Sequence, residues 1–210
     1  MRDSILYLTL ILIAYGIICC LRLEYVMTME NIGVMYGDVI KSSNVTAASL
    51  YEQTHKYWVT GLLLALIPAI CKVFFYALVV YIGFYLISKQ KYLEILKATV
   101  VAEFVNVLMG TTKTIDMIFF NPPTTLVDMS LAPLSLASLF DVHKLDQWML
   151  VPLSAANVFE VLYMLVLSYL LSRNLKQGFG RCLKVVVSSY GLVSVLIVVV
   201  MTFITVYATR

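Results

Sequence analysis

The sequence predicts an all-α polytopic membrane protein: five transmembrane helices, with a short interfacial or re-entrant helix between the third and fourth. Two observations carry that prediction. Of 210 residues, 61% are hydrophobic and 13% are charged, against roughly a quarter charged in an ordinary water-soluble domain. The apolar residues also gather into five long stretches, so much of the surface must face lipid. The net charge of +3 is weak and scattered. With no basic tail and no aromatic-basic interleaving, nothing points to nucleic acid. The bilayer itself is the expected partner.

The first stretch, Ser4–Leu21, follows Arg2 as a signal peptide would. No small-x-small cleavage site comes after it, so residues 1–21 read as a retained anchor. Residues 22–57 are mixed in charge and too few to build a core of their own. They are expected to be helical in part and to pack on the outer membrane surface. Residues 58–210 form the main four-helix membrane domain.

Its first span, Trp58–Ile87, would be about 45 Å long against a hydrocarbon core of about 30 Å, and Pro68 is its expected kink. The next, Tyr92–Phe120, is the least apolar. Leu150–Leu171 and Cys182–Tyr207 complete the set. Cys19, Cys20, Cys71 and Cys182 lie in or beside these runs without metal-ligand spacing and read as small hydrophobes.

Positive charge orients the bundle. Arg2, Lys89, Lys91, Arg173, Lys176, Arg181 and Lys184 fall on one side; Arg22, Lys41, Lys56, Lys144 and Arg210 fall on the other. This places the N-terminus in the cytoplasm and the C-terminus outside. The residues Lys89, Lys91, Arg173, Lys176, Arg181 and Lys184 then make a basic cytoplasmic face suited to anionic headgroups or a protein partner.

Between the third and fourth spans, Asn121-Pro122-Pro123 stops the helix. Asp128 is expected to cap a short helix carrying Leu131, Leu134, Leu136, Leu139 and Phe140, about three turns long. Asp141, His143, Lys144 and Asp146 form a wet turn, and Trp148 sits where an interfacial anchor belongs. Pro152 falls near the start of the fourth helix, with Ser154 available as its cap. Two placements stay open: the short helix re-enters the bundle, or it lies flat on the surface.

Ionisable groups inside spans are expensive, at about 2.5–3.5 kcal/mol each on insertion scales. Glu103, Asn106, Gly110 and Lys113 fall within an arc of about 80° on the third helix. Asn157 and Glu160 share a face of the fourth, and Lys72 lies one turn beyond Pro68 on the second. The expected cluster is therefore Lys72, Glu103, Asn106, Lys113, Asn157 and Glu160, with the two carboxylates facing Lys72 or Lys113. It either fixes helix register or forms a proton- or solute-coupled site; Lys113 and Asp116, near the outer end, could instead reach water by snorkelling. The small residues Ser188, Ser189, Gly191 and Ser194 would let another helix approach the last span, from this chain or a second copy.

No nucleotide loop, nucleophile elbow or metal-ligand cluster occurs, and His55 and His143 lie in separate loops. No catalytic residue, metal or cofactor is expected.

Several stretches resemble a known family. PLSLASLF, then QWMLVPL, then NVFE, together with Ala102-Glu103-Phe104-Val105 and Ser189-Tyr190-Gly191, look like the bacterial branch of the Yip family, the Ypt/Rab-interacting protein membrane domain. The resemblance covers Trp58 to Thr205. It implies a five-span helical domain with a cytoplasmic N-terminus, in a bacterial cytoplasmic (inner) membrane. The chain lacks the Asp-Leu-Tyr-Gly-Pro stretch of the eukaryotic members, so their link to Rab-type GTPases is not carried over. The function expected is a non-enzymatic, membrane-organising or adaptor role, with a membrane-protein partner or a homo-oligomer. The alternative is a transporter or permease subunit using Glu103, Lys113 and Glu160. A third reading is lipid handling along the polar stripe.

Overall fold

The computed structural model describes residues 2–42, 45–88 and 90–208. Among them every regular element is helical. Helix α1 (Arg2–Leu21) runs on through a π-helical turn, Arg22–Val26, past the expected end of the anchor. Three short helices follow: α2 (Met29–Met35), α3 (Gly37–Ser42) and α4 (Ala47–Lys56). Thr28 and Thr46 start α2 and α4 by accepting the backbone N–H groups of Asn31 and Ser49, which satisfies donors that a helix leaves unpaired at its first turn.

Helix α5 (Trp58–Ser88) is the longest, and Pro68 lies inside it without ending it. The expected third span is two helices, α6 (Tyr92–Ala102) and α7 (Phe104–Phe119). They join through a tightened turn at Glu103, whose N–H is shared between the carbonyls of Thr99 and Val100. By length and composition three helical stretches can cross a bilayer: Ile5–Val26, Trp58–Ile87 and Phe179–Tyr207.

The stretch after the third span departs from expectation. Helix α8 (Leu126–Ser130) is capped by Thr125 rather than Asp128. Thr125 accepts the Asp128 N–H, and the Asp128 carboxylate accepts in return from the N–H groups of Thr124 and Thr125 at 3.0 and 2.9 Å. No single helix runs to Phe140. Leu131 is extended, Leu134 takes a positive φ of 52°, and only Leu136–Leu139 coils again, as a 3-10 turn. Pro133 has no N–H to continue a helix. The backbone groups that remain are used elsewhere: Leu136 N–H donates to Ala156 O at 2.9 Å, and Val158 N–H donates to Leu134 O at 3.2 Å.

That pairing straps the stretch across a second break. The expected fourth span divides into α9 (Gln147–Ala155), which contains Pro152, and α10 (Val158–Asn174). Asn157, not Ser154, caps α10, its Oδ1 accepting the Glu160 N–H at 2.9 Å. Ser154 instead accepts the N–H of Ala132 at 3.0 Å, anchoring the strap's other end. The chain closes with α11 (Phe179–Val186), a π-helical turn at Val187–Gly191, and α12 (Leu192–Ala208).

The core lies between α5, α6, α10 and α11. Phe84, Ile95, Ala98, Tyr163, Leu167, Leu171 and Val186 are buried there. Helix α1 packs along α6 and α7, with Ile11 against Val73 and Val100. Within the chain, the small face of the last span meets α5: a Cβ on Gly83 would stand 3.0 Å from the Ser189 Cβ and 3.1 Å from a Val185 methyl.

Gly83→Leu is therefore expected to lower stability by about 1–3 kcal/mol. Gly61→Leu, on the same helix, should leave it unchanged, because a Cβ there would meet nothing within 4 Å. Unfolding in detergent compares the two. The α8 cap has a pH signature. Burial alone would raise the Asp128 carboxyl, but hydrogen bonds from Thr124 and Thr125 outweigh it and hold its pKa below the usual aspartate value. A depressed carboxyl stabilises fully above its unfolded pKa and loses that stabilisation as pH falls through the lower folded value. Amide exchange at Thr124 and Thr125, corrected for intrinsic rate, should quicken below the ordinary aspartate range, and Asp128→Asn should remove that dependence.

Candidate functional site: a carboxylate and tyrosine network

The turn between α6 and α7 places Glu103 at the centre of the bundle, 1% exposed. Its carboxylate accepts from Tyr15 Oη through Oε1 and from Asn106 Nδ2 through Oε2, both at 2.9 Å. Lys72 Nζ stands 3.9 Å from Oε1, with its side chain 36% exposed. The two hydrogen bonds hold the carboxylate in place, and the more distant ammonium offsets its charge. A carboxylate removed from water without such partners would cost several kcal/mol.

The second carboxylate is held differently. Glu160 lies in the first turn of α10 and accepts from Tyr190 Oη at 2.6 Å through Oε2. The π-helical turn at Val187–Gly191 carries Tyr190 inward, where it is buried. Its ring packs between those of Tyr76 at 4.5 Å and Tyr163 at 5.1 Å. The Lys72 ammonium lies 6.0 Å from the Tyr76 ring. The two carboxylates are thus joined through Lys72, Tyr76 and Tyr190 rather than by direct contact. Among the described residues the buried Tyr163 hydroxyl has no hydrogen-bond partner.

Of the six residues expected to converge, Lys72, Glu103 and Asn106 do. Glu160 stands apart with Tyr190. Asn157 serves as the α10 cap, with its Nδ2 donating to the Ser154 and Ala155 carbonyls. Lys113 joins neither carboxylate: its ammonium donates to the backbone carbonyls of Met129 and Leu131. Those carbonyls lie at and just past the end of α8 and lack helical donors, so a long cation reaches them more easily than it reaches across the bundle. Asp116, one turn on, accepts from Asn121 Nδ2 at 2.8 Å.

Arg22 and Tyr15 were not among the expected residues. Arg22 donates to Thr114 Oγ1 at 2.8 Å and to Gly110 O at 3.2 Å. With Ile11 and Ile18 they form a stripe at four- and three-residue spacing along α1, and that spacing is the one signal that could have marked it. Tyrosine in an apolar run reads as packing, so Tyr15, Tyr76 and Tyr190 carried no polar signal.

The basic face is exposed wherever it is described. Lys91 precedes α6, and Arg173, Lys176, Arg181 and Lys184 surround the α10–α11 turn. Both turns cap one end of the core, where Phe84 and Ile95 share a cluster with Leu175 and Cys182. Lys89 lies outside the described residues, as does the side chain of His143. Among the described residues no group of three His, Cys, Asp or Glu side chains gathers to hold a metal.

No protein-family model matches the chain, and no curated protein or solved structure matches it either.

A double-mutant cycle tests the Glu103 site. Tyr15→Phe and Glu103→Gln should each destabilise, and the double variant should lose less than their sum. The coupling expected is about 1–2 kcal/mol, between an interhelical contact in a membrane and a hydrogen bond to a charge. Additive losses would mean that the hydroxyl and carboxylate do not support each other.

Proposed function

We propose that this chain is a non-enzymatic membrane-organising or adaptor protein of the Yip type, crossing a bacterial cytoplasmic membrane five times. The observation that carries the reading is the closure around Glu103. Each carboxylate oxygen already accepts a protein donor, and one lysine lies alongside. A transport carboxylate must exchange partners with water or solute; one held by α1 and its own helix, beside a lysine of α5, is suited to fixing how three helices meet.

Five crossings follow from reading the broken helices as continuous units. Residues Tyr92–Phe119 are helical on both sides of the turn at Glu103 and would extend about 42 Å, enough to span. Helix α10 is shorter, and α9 with the 134–139 strap would complete its passage. The exposed basic end, with Lys91, Arg173, Lys176, Arg181 and Lys184, then faces the cytoplasm and anionic headgroups or a partner. The C-terminus lies outside. The family reading rests on the resemblance of the stretches quoted from Ala102 to Val105, from Pro133 to Glu160 and at Ser189-Tyr190-Gly191.

Two measurements test it. In a variant without native cysteines, Lys176→Cys should be labelled only from the cytoplasmic side and Lys144→Cys only from outside. Vesicles holding the purified protein should pass protons no faster than empty ones, and Glu103→Gln should lower thermal stability without creating a leak. Proton or solute flux that Glu103→Gln abolishes in a folded protein would overturn this reading in favour of a transporter.

A further inference from the structure

A cavity of about 930 Å³ lies between the strap, α10 and α12, reaching in to Tyr76. That is near the upper end of the usual range for small-molecule sites, roughly 300–1,000 Å³. Its walls are largely apolar, Leu136, Val161 and Val195 among them. Val195, at 62% exposed, stands at the outer face of a long apolar helix, so the opening is turned toward whatever surrounds that helix.

The polar groups in it are few, and most are already engaged. Asn157 is occupied as the α10 cap, and Tyr190 donates to Glu160. Three groups remain. Among the described residues, Ser135, 4% exposed, has an Oγ with no hydrogen-bond partner, and Ser194 Oγ is buried and also without one. Glu160 uses Oε2 for Tyr190, and among the described residues no cation pairs with it. Buried hydroxyls without partners are uncommon, because each forfeits the hydrogen bonds it had in water. Each can donate or accept; beside them the Glu160 carboxylate, with an oxygen that the Tyr190 bond leaves unused, can only accept, and it sets the sign of the group that fits. No lysine, arginine or histidine lines the cavity among the described residues, so an anionic head would meet only the Glu160 charge.

We propose that this cavity binds an amine-headed amphiphile taken from the bilayer. Its ammonium pairs with the Glu160 carboxylate and donates to the Ser135 and Ser194 hydroxyls, and its chain lies along Leu136, Val161 and Val195. The cationic head follows from the Glu160 carboxylate and the missing cation; the two hydroxyls have lone pairs for its remaining N–H groups. Entry from the bilayer follows from the apolar, exposed α12 wall. This site is separate from the closed Glu103 centre, and it stands whether or not the chain organises partners.

The test uses the full chain in phosphatidylcholine nanodiscs and octadecylamine carrying a diazirine in mid-chain. Photolysis should label peptides from 134–139 and from the 158–164 and 191–199 stretches. Unlabelled octadecylamine should remove that label; octadecanoic acid and octadecyl phosphate at the same concentration should not. Glu160→Gln should weaken labelling about tenfold, the loss of one charge-assisted contact. Should Glu160→Gln unfold the protein, Val195→Trp fills the opening from an exposed position and should abolish the label at unchanged thermal stability. Labelling spread evenly over lipid-facing helices, equal competition by the acid, or full labelling of folded Val195→Trp would each overturn the proposal.

Discussion

The bundle depends on one buried charge. Lipid is as apolar as leucine, so burial of side chains does little to tell one helix where along another it should sit. A carboxylate does. Glu103 requires donors, and it takes them from Tyr15 on α1 and Asn106 on its own helix, with Lys72 of α5 beside it. A shift of α1 by one residue would swing Tyr15 through about 100° and leave both groups unpaired. The same stripe then holds Ile18 against Gly110 and Arg22 on Thr114. One bond in the interior thereby sets the register of α1 along most of its length.

The helix breaks obey the same constraint. Backbone groups freed inside an apolar bundle have to be satisfied within the protein. At Glu103 this is done locally, by tightening the turn so that one N–H serves two carbonyls. At Ala156–Asn157 the break is wider and the repair comes from a distance. The strap supplies Leu136 N–H and Leu134 O, Ser154 holds Ala132, and Asn157 caps the new helix. The positive φ at Leu134 is part of that repair, because it turns the chain into line with the break at a site where a leucine ordinarily avoids such geometry.

This difference explains what could be read in advance. Hydropathy measures length and polarity, so the uninterrupted stretches Trp58–Ile87 and Cys182–Tyr207 stood out plainly. It cannot register hydrogen-bond continuity, and so α6 with α7 and α9 with α10 looked like single rods. Pro152 was read as marking the start of the fourth helix, yet it lies inside α9 and the break falls at Ala156–Asn157, where no proline stands. Glu103 with Asn106 was legible because three-residue spacing puts them on one face, and Lys72 because it is a cation within reach. Lys113 was misplaced because the carbonyls that hold it come from α8 and the residue just beyond, whose fold its own sequence context did not reveal. The tyrosines were invisible as polar groups because only the fold decides where a hydroxyl points.

The two carboxylates of the bundle show how little residue type alone decides. Both lie in helical segments of similar polarity, and each has a tyrosine hydroxyl on one oxygen. Glu103 also has an amide and a lysine, and it is 1% exposed. Among the described residues Glu160 has no second side-chain donor, lies at the edge of a large cavity, and shares that cavity with two unpartnered hydroxyls. The free energy of a buried acceptor does not vanish when its donor is missing; it is deferred to whatever binds next. A closed acceptor set stiffens a fold, whereas an open one selects a ligand by the donors that the ligand must bring. On that argument the bundle keeps its structural charge and its recognition charge on different helices, linked through Lys72 and the packed rings of Tyr76 and Tyr190 rather than by direct contact.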